Sequence, residues 1–422
     1  MRNKELCYIK LSKYQEVFLN IHKQKILKPN IYYWFIVTFN LVFLAFILNG
    51  CIGSVVPSPS QEKIKANWTV MVFLNGDNDL DNYALADLNS MEMVGSSDKV
   101  KIIVEHDSLR GPTIRYLVRK DTNPIQINSE VLQQLGEINM GDANNLVEFI
   151  RYCALNYPAD KYALILWNHG SGFKGKNISF DETSLNDSIS IPELGQALMN
   201  AKSILNKPIN LLGMDACLMA MVEVAYEVRN SSNILVASQE SVPGEGWDYT
   251  TFLDSLITNP TMNEIQLAQI IADSFINQFP SQNVNISVSN LNRMDELAAG
   301  IGQLSRAILF DNHTSSQIYT DIGDSSQYFS DFDLIDLGDF SMLLTSDNRV
   351  QSSETKTAAF LVSNLLSQVV LYNRTNGPYV VNSHGLSLYF PYDSYNPQYE
   401  FLAFNRETSW NQVIQKLSVL KK

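Results

Sequence analysis

Short apolar runs alternate with longer segments of helical periodicity through most of the chain. The strand patterns cover residues 68–74, 100–105, 113–118, 162–167, 209–213, 234–237, 284–291 and 385–390. Apolar positions with helical spacing cover residues 80–93, 142–156, 192–205, 217–228, 264–278, 293–309, 333–344 and 355–372. Residues 312–330 are polar and are predicted to form a surface loop.

This alternation predicts an α/β fold. Strands separated by helices of about ten or more residues imply crossover connections and a largely parallel sheet. In such sheets, functional groups collect at the carboxyl ends of the strands. No break between residues 66 and 420 marks a domain boundary, so we expect one domain over residues 66–422.

The composition indicates an acidic globular protein. Hydrophobic residues make up 45% and charged residues 18% of the 422 positions, which argues against disorder. Residues 1–30 carry seven Lys/Arg and two Glu, a charge of +5, so the total of −13 leaves −18 for the rest of the chain. An acidic body disfavours nucleic acid and suits basic substrates, although a role in solubility explains it equally well.

The cysteines do not form a disulfide or metal-binding pattern. Cys7, Cys51, Cys153 and Cys217 include no Cys-x-x-Cys pair and no metal-ligand spacing. Cys153 lies on the predicted helix at residues 142–156, where we expect it to be buried as a small apolar residue.

The amino-terminal region has the features of a membrane or lipoprotein signal. Residues 31–48 form an uncharged apolar run of 18 residues, close to bilayer-spanning length, and basic residues precede it. The run ends in Leu48-Asn-Gly-Cys51, which resembles the lipobox of bacterial lipoproteins, where the cysteine is lipidated. The alternative is an uncleaved signal anchor. Both predict an extracytoplasmic, membrane-anchored protein, with residues 1–51 as the anchor and residues 52–65 as a flexible tether.

A histidine and a cysteine each follow an apolar strand pattern. His169 comes after the run at residues 162–167, and Cys217 lies 48 residues later, after the run at residues 209–213. A thiol is a weak nucleophile at neutral pH unless a base or a helix N-terminus favours the thiolate. Because Cys217 opens a predicted helix, the pair is a candidate cysteine-hydrolase site. The alternative for each residue alone is a structural role.

Five motifs resemble those of the clostripain family of cysteine peptidases, in the same order along the chain. They are residues 68–81, 166–172 around the histidine, 212–226 around the cysteine, 238–249 and 385–391. The resemblance implies a caspase-like α/β fold, which is a three-layer sandwich with a largely parallel central sheet flanked by helices. It also implies cleavage of peptide bonds after Arg or Lys.

The resemblance gives each candidate residue an expected role. Cys217 is the nucleophile, His169 is the general acid and base, and Asp215 lines the pocket for a basic side chain. The backbone N–H groups of Cys217 and Gly170 are candidates for the oxyanion hole. The alternative for Asp215 is a helix N-cap, because it precedes a predicted helix. No third catalytic residue is assigned.

Two further segments extend the expected site. Glu240 and Trp247 belong to the 238–249 motif and by resemblance border the substrate cleft, whereas the alternative for Trp247 is a packed residue in a surface turn. Lys174 and Lys176 follow the histidine, in the loop where some members of the family cut themselves. The alternative is that both lysines are simply solvated.

The expected chemistry requires no cofactor, and no metal site is predicted. Residues 77–81 have the opening of a calcium loop, but Asn82 stands at its sixth position instead of Gly and Leu88 at its twelfth instead of Glu. Helix capping explains these Asp and Asn residues more simply. Calcium, which is associated with the family's namesake, is kept as a candidate cofactor without a located site.

The leading hypothesis is a membrane-tethered, extracytoplasmic cysteine endopeptidase that cleaves after Arg or Lys. Its partners would be protein or peptide substrates and, through the amino-terminal segment, a membrane, with no role for nucleic acid. One alternative is a catalytically silent lipoprotein that keeps the fold as a binding module. Another is a caspase-like peptidase of other specificity, as in legumain or separase.

Overall fold

The computed structural model of the protein describes residues 65–418, so the predicted anchor over residues 1–51 lies outside the described part. The strands, β1 to β13, are Ala66–Gly76, Val100–Ser108, Thr113–Leu117, Glu130–Gly136, Ala159–Trp167, Ile178–Asp181, Asp187–Ile189, Ile209–Asp215, Ser232–Ala237, Val284–Asn290, Leu334–Asp336, Val370–Asn376 and Ser387–Tyr389. The α-helices, α1 to α12, are Asp81–Glu92, Ala143–Asn156, Ile191–Leu205, Val222–Val228, Tyr249–Thr258, Glu264–Gln278, Met294–Phe310, Ser316–Ser325, Leu337–Ser346, Ser353–Val369, Ala403–Thr408 and Trp410–Ser418.

Nine strands form a central, mostly parallel sheet in the order β12-β10-β9-β8-β5-β1-β2-β3-β4. The five strands β9, β8, β5, β1 and β2 run parallel. At one end β10 is antiparallel to both of its neighbours, and at the other end β3 is antiparallel to both of its own. Two small sheets, β6-β7 and β11-β13, accompany the central one.

The parallel strands are buried on both faces, as their continuous apolar sequences require. Met71 and Phe73 of β1 point into one core, which also contains residues of α2, α3, α4 and α7. Val70 and Val72 point into a second core with residues of α1, α5 and α6. The resulting three layers confirm the predicted α/β fold class. Cys153 of α2 is fully buried, as expected.

The helix predicted over residues 355–372 is wrong at its carboxyl end. Helix α10 stops at Val369, and β12 begins at Val370 and pairs antiparallel with β10. An edge strand and a last helical turn have similar apolar spacing over so few residues, so periodicity alone did not separate them.

The polar segment at residues 312–330 is not only a loop, because it contains α8. The side chain of Ser315 caps this helix by accepting the N–H of Gln317, and the helix buries its own residues Tyr319 and Ile322. A helix with one narrow buried face has few apolar residues, which is why its sequence resembles that of a loop.

None of the helices in residues 65–418 combines the length and the hydrophobicity of a transmembrane span. The apolar run at residues 31–48 lies outside that range.

Candidate active site

His169 and Cys217 follow neighbouring strands at the same edge of the sheet. Strands β5 and β8 are parallel, and their last residues, Trp167 and Asp215, are partners in the register. His169 and Cys217 each lie two residues beyond this pair. Neighbouring strands are about 4.8 Å apart, so equal offsets from a paired position bring the two segments side by side.

Backbone contacts join the two segments directly. The N–H of Asn168 donates to the carbonyl oxygen of Asp215 at 3.4 Å. Gly170 approaches so closely that a Cβ at this position would overlap the carbonyl oxygen of Cys217. A glycine is therefore needed beside the histidine because two backbones meet there. Both His169 and Cys217 are half-buried, so neither side chain is enclosed by the core.

Cys217 does not open a helix, and the helix predicted over residues 217–228 is wrong in its first turn. Residues 216–220 form an irregular turn in which Leu218 has a φ of 63°, and α4 begins only at Val222. The N–H of Leu218 donates to the carbonyl of Glu240 at 3.2 Å. A left-handed, non-glycine residue beside the candidate nucleophile is a strained conformation of the kind that concentrates at functional sites.

The Cys217 thiol contacts the segment that follows β9. Its Sγ accepts the N–H of Val242 at 3.2 Å, and the carbonyl oxygen of the same residue is 3.7 Å away. Burial raises the pKa of the thiol, and the hydrogen bonds from Val242 and Ser241 oppose that rise. The expected stabilisation of a thiolate by a helix N-terminus is absent, because no helix begins at the cysteine. The resting residue is therefore a thiol that needs a base.

Asp79 is the hydrogen-bond partner of His169, a role that was not predicted from the sequence. Its Oδ1 lies 2.7 Å from Nε2 of His169, and this hydrogen bond holds the pKa of the Asp79 carboxyl below its usual value. Asp79 lies between β1 and α1, in the run interpreted as helix caps. Only Asn78 has a cap-like contact, since its Oδ1 accepts the N–H of Leu80 at 2.9 Å. The position of β1 beside β5 is the signal that identifies Asp79.

Asn168 fixes the backbone on the other side of the histidine. Its Nδ2 donates to the carbonyls of Asn75 at 2.7 Å and Phe180 at 3.0 Å, and its Oδ1 accepts the N–H of Phe180 at 2.8 Å. The side chain therefore links the ends of β1, β5 and β6, and it limits the motion of His169.

Asp215 is the last residue of β8 and does not cap a helix, so the N-cap alternative is wrong. One oxygen accepts the N–H of Trp247 at 3.0 Å and the hydroxyl of Tyr249 at 3.1 Å, whereas Oδ1 is buried and has no hydrogen-bond partner among residues 65–418. A second buried acid, Asp87 of α1, accepts the indole N–H of Trp167 at 2.7 Å. Burial raises the pKa of both carboxyls, and repulsion from Asp215 raises that of Asp87 further. Asp87 was not predicted from the sequence.

Trp247 and Glu240 hold loops in place near these buried acids. Trp247 is 2% exposed, and its ring packs against Gly213 of β8, in agreement with the packed alternative for this residue. The Glu240 carboxylate accepts the N–H of Ser241 at 2.7 Å and that of Ser330 at 3.1 Å. Glu240 thus ties the segment after β9 to the loop before β11.

Lys174 and Lys176 lie in the turn between β5 and β6. The Lys174 amine pairs with Asp331 and with Asp333, the latter at 2.8 Å, and its side chain is only 16% exposed. Lys176 is exposed, with its amine 3.9 Å from the centre of the Phe180 ring. Of the two lysines, Lys176 is the more accessible to a peptidase.

The proposed oxyanion-hole donors are both available. Among residues 65–418, no backbone carbonyl or side chain accepts a hydrogen bond from the N–H of Cys217 or of Gly170. Unoccupied donors at the meeting point of the two segments are what stabilisation of an oxyanion requires.

Further polar groups make no direct contact with His169 or Cys217 among the described residues. His106 is buried, which lowers its pKa to about 4, and Nδ1 of His384 is 2.8 Å from Oδ1 of Asp336. Four carboxylates near the ends of β1, β2, β4 and β6 lie close enough together to hold a metal ion.

A three-layer α/β fold that delivers a cysteine and a histidine from adjacent parallel strands defines the class of caspase-like cysteine peptidases. The chain belongs to the clostripain family, whose sequence model matches residues 72–417. It is accordingly a cysteine-type peptidase that acts on proteins or peptides, which confirms the family and the enzyme class predicted from the sequence.

Individual relatives are distant. Clostripain of Hathewaya histolytica is 24% identical over 409 residues, which cover 80% of this chain and 77% of that protein. A secreted C11 cysteine protease from Bacteroides thetaiotaomicron, solved with an irreversible peptide inhibitor, is 21% identical with a TM-score of 0.65 and covers 82% of this chain and 100% of its own. An inactive zymogen C11 protease from Parabacteroides distasonis has a TM-score of 0.62 at 21% identity, with 82% and 98% covered.

Proposed function

We propose that the protein is an extracytoplasmic, membrane-tethered endopeptidase that cleaves after Arg or Lys, with Cys217 as nucleophile and His169 as general acid and base. The observation that carries this proposal is the equal offset of the two residues from the paired positions Trp167 and Asp215. Because of this equal offset, the half-buried thiol of Cys217, the imidazole of His169 and the buried carboxyl of Asp215 lie at the same edge of the sheet.

The hydrogen bond that Nε2 of His169 donates to Asp79 gives the two ring nitrogens different roles. Because Asp79 occupies Nε2 of His169, Nδ1 is the nitrogen that exchanges protons with the thiol and the substrate. Nδ1 takes the Cys217 proton as Sγ attacks the carbonyl carbon, and the N–H groups of Cys217 and Gly170 stabilise the oxyanion. The imidazolium then protonates the leaving amine. Water, deprotonated by the same nitrogen, hydrolyses the thioester and returns the thiol.

The acids beneath the cysteine support the basic specificity. Asp215 and Asp87 are buried together, and Oδ1 of Asp215 has no partner in the described chain. A cationic side chain would complete the hydrogen bonding of that oxygen and relieve the repulsion between the two carboxyls. A neutral side chain would leave the Asp215 oxygen unpaired and the two carboxyls repelling each other. The acids therefore favour Arg and Lys.

The segment around Gly246 covers the two acids. Gly246, with a φ of 58°, lies where a Cβ would be 2.8 Å from Oδ2 of Asp215 and 3.1 Å from Oδ2 of Asp87. The N–H of Trp247 also bonds Asp215. A basic side chain therefore reaches the acids only when the Gly246 segment moves, and substrate binding includes this displacement.

The membrane tether rests on residues outside the described range. The apolar run at residues 31–48, its basic lead and Cys51 support export and anchoring. The solved relative from Bacteroides thetaiotaomicron is described as secreted, which agrees with export. Membrane fractionation of cells expressing the full chain tests this part. We expect the protein in the membrane fraction, and a soluble cytoplasmic protein would contradict the assignment.

Peptide-library cleavage by the purified enzyme, under reducing conditions at neutral pH, tests the peptidase assignment. We expect cuts after Arg or Lys only, and loss of about 10⁴-fold or more in Cys217→Ala. Cys153→Ala is the matched control, because that thiol is buried away from the sheet edge, and it should retain activity. Cuts after other residues would support a peptidase of different specificity. No cleavage by the native enzyme would support the inactive binding module.

A further inference from the structure

Two large aromatic side chains are exposed on the loop before β11, which comprises residues 327–333. Tyr328 is 50% exposed and Phe332 is 62% exposed, and their ring centres lie 5.1 Å apart. The loop is held by its own contacts, because Tyr328 forms an antiparallel bridge with Ile335 and Phe329 is buried. Adjacent exposed aromatic rings on an anchored loop indicate a binding surface, whereas single exposed apolar residues need no explanation.

Polar contacts join this loop to the segment that contacts the candidate nucleophile. Ser330 donates both its N–H, at 3.1 Å, and its hydroxyl to the carboxylate of Glu240. The carbonyl oxygen of Glu240 accepts the N–H of Leu218, the residue after Cys217, at 3.2 Å. One residue, Glu240, therefore connects the loop that carries the two rings to the turn that carries the thiol.

Further contacts join the same loop to the turn that follows the histidine. Lys174 pairs with Asp331 and with Asp333, the latter at 2.8 Å. Strand β13, the partner of β11, also contacts the cysteine turn, because the N–H of Ser387 donates to the carbonyl of Ala220 at 2.9 Å. The loop is thus fixed at the sheet edge where the candidate dyad lies. Loops positioned by a rigid scaffold commonly carry binding residues.

The charge around the two rings favours a peptide over a membrane or a second copy of the chain. Residues 321–336 contain five Asp and no Lys or Arg. Aromatic residues that enter a lipid surface are typically accompanied by Lys and Arg, which attract anionic headgroups. Two copies of this acidic segment would repel each other. A peptide that carries Arg or Lys is instead attracted to the segment.

We propose that Tyr328 and Phe332 form a second substrate subsite, which binds an apolar side chain close to the basic residue of the peptide. The inference rests on the peptidase function proposed above and extends the recognition of substrate beyond Asp215. A Leu, Val or Phe side chain that packs on the two rings removes apolar area from water on both partners. Because the loop is already anchored, little conformational entropy is lost when the peptide binds.

Binding of labelled peptides to the full-length Cys217→Ala chain, measured by fluorescence polarisation, tests the subsite without cleavage. The peptides contain one Arg and carry Leu or Ser at each flanking position in turn. Leu at one of these positions should tighten binding by about 10-fold over Ser. The double change Tyr328→Ser and Phe332→Ser should remove this gain. Equal binding of the Leu and Ser peptides would overturn the proposal.

Phe310→Ser is the matched control, because Phe310 is an exposed aromatic residue at the end of α7 and makes none of these contacts. It should keep the preference for Leu, and Tm of each variant checks folding. Loss of the preference in Phe310→Ser as well would show a general effect of surface polarity and contradict the assignment. Ring-dependent binding to phosphatidylglycerol vesicles, or ring-dependent dimers in sedimentation, without a preference for Leu would identify a membrane or a second copy as the occupant instead.

Kinetics of the active enzyme separates this subsite from the basic pocket. The ratio of kcat/KM for Leu and Ser substrates, both cleaved after Arg, should fall from about 10 to about 1 in the double variant. Asp215→Asn should slow cleavage after Arg yet keep that ratio. Cleavage after Arg with no preference for a flanking apolar residue would overturn the subsite alone. Ring-dependent peptide binding by a native enzyme that cleaves nothing would support the subsite and contradict the proposed peptidase function.

Discussion

The hydrogen bond between Asp79 and His169 is the most informative contact at the scale of single residues. It occupies Nε2 at 2.7 Å, and in the proposed mechanism Nδ1 is the nitrogen that transfers protons. A histidine held by one nitrogen keeps the tautomer and ring orientation that its other nitrogen needs for catalysis.

Asp79→Asn tests this positioning role. We expect kcat to fall by about 10- to 100-fold with KM little changed, because substrate contacts remain while the imidazole loses its oriented tautomer. Asp81→Asn is the control, because its carboxylate accepts the Ser108 hydroxyl instead. Equal losses in kcat for both variants would indicate a general effect on the loop.

The buried carboxyls of Asp215 and Asp87 should make the KM for basic substrates depend on pH. Burial raises the pKa of Asp215 to about 7, so this carboxyl loses its negative charge as the pH falls through neutrality. We expect KM for Arg substrates to rise as the pH is lowered from about 8 to 6, while KM for neutral substrates stays flat. Steady-state kinetics over this range provides the measurement, and identical pH profiles would contradict the role of the pair.

Asp215→Asn should reduce kcat/KM for Arg substrates by about 100-fold or more and leave neutral substrates nearly unaffected. The asparagine can still accept the Trp247 N–H, so the effect reports lost charge and not a lost loop contact. A uniform loss for both substrate types would instead show that the residue is structural.

Sequence alone identified Cys217, His169, Gly170 and Asp215 as candidates because each lies in a local motif. It did not identify Asp79 or Asp87, whose roles depend on which strands are neighbours. The aspartate run after β1 could be interpreted from the sequence as a calcium loop or as helix caps. The strand order β5-β1-β2 is needed to see which of its side chains lie near the histidine and which lie near the other carboxylates.

At the scale of elements, the two turns that follow β5 and β8 form the site together. The close approach of Gly170 to the Cys217 carbonyl sets the distance between them. The Leu218 turn then directs the chain away from the cysteine before α4 begins.

Gly170→Ala should therefore separate the two turns. The added Cβ meets backbone, which cannot move as a flexible side chain would, so we expect loss of at least about 100-fold in kcat. Gly111→Ala is the matched control, since its Cβ would have only ordinary contacts at 3.8 Å with Ser108. Activity assays of both variants, with Tm as the check on folding, make the comparison. Full activity in Gly170→Ala would show that the close approach has no functional consequence.

Most elements were predictable because their apolar periodicity is long and their flanking residues are polar. The segment after Cys217 was not, because the buried residues Leu218, Met219, Ala220 and Met221 have the composition of a buried helix. Their backbone bonds to the segment after β9 instead, for example from Ala220 to Ser238 at 2.9 Å. Such tertiary pairing is invisible to local periodicity.

At the scale of the whole molecule, buried acids should make stability depend on pH. Burial raises the pKa of both Glu105 and Glu223 to about 7 in the folded protein. The folded state then binds more protons than the unfolded state, so stability falls as the pH rises from about 4.5 through 7. Tm of Cys217→Ala in EDTA should thus increase when the pH is lowered from 8 to 6. A Tm that falls or stays constant would contradict these pKa values.

Glu223→Gln isolates one contribution to that dependence. The Glu223 carboxyl accepts the N–H of Tyr389 at 3.0 Å and the hydroxyl of Tyr399 at 3.1 Å, contacts that an amide oxygen can keep. The slope of Tm against pH should become shallower, because the amide does not titrate. An unchanged slope would show that Glu223 does not contribute.

Labelling with an irreversible affinity reagent that carries a basic residue tests the central claim most directly, since it requires the thiol, the histidine and the acid pocket at once. After incubation of the full chain with a lysyl or arginyl reagent, intact-mass measurement and peptide mapping should find one adduct, on Cys217. A matched neutral reagent should react much more slowly, and Asp215→Asn should remove the difference. No adduct, or an adduct on another residue, would contradict the assignment of Cys217 as the nucleophile of an Arg/Lys-specific peptidase.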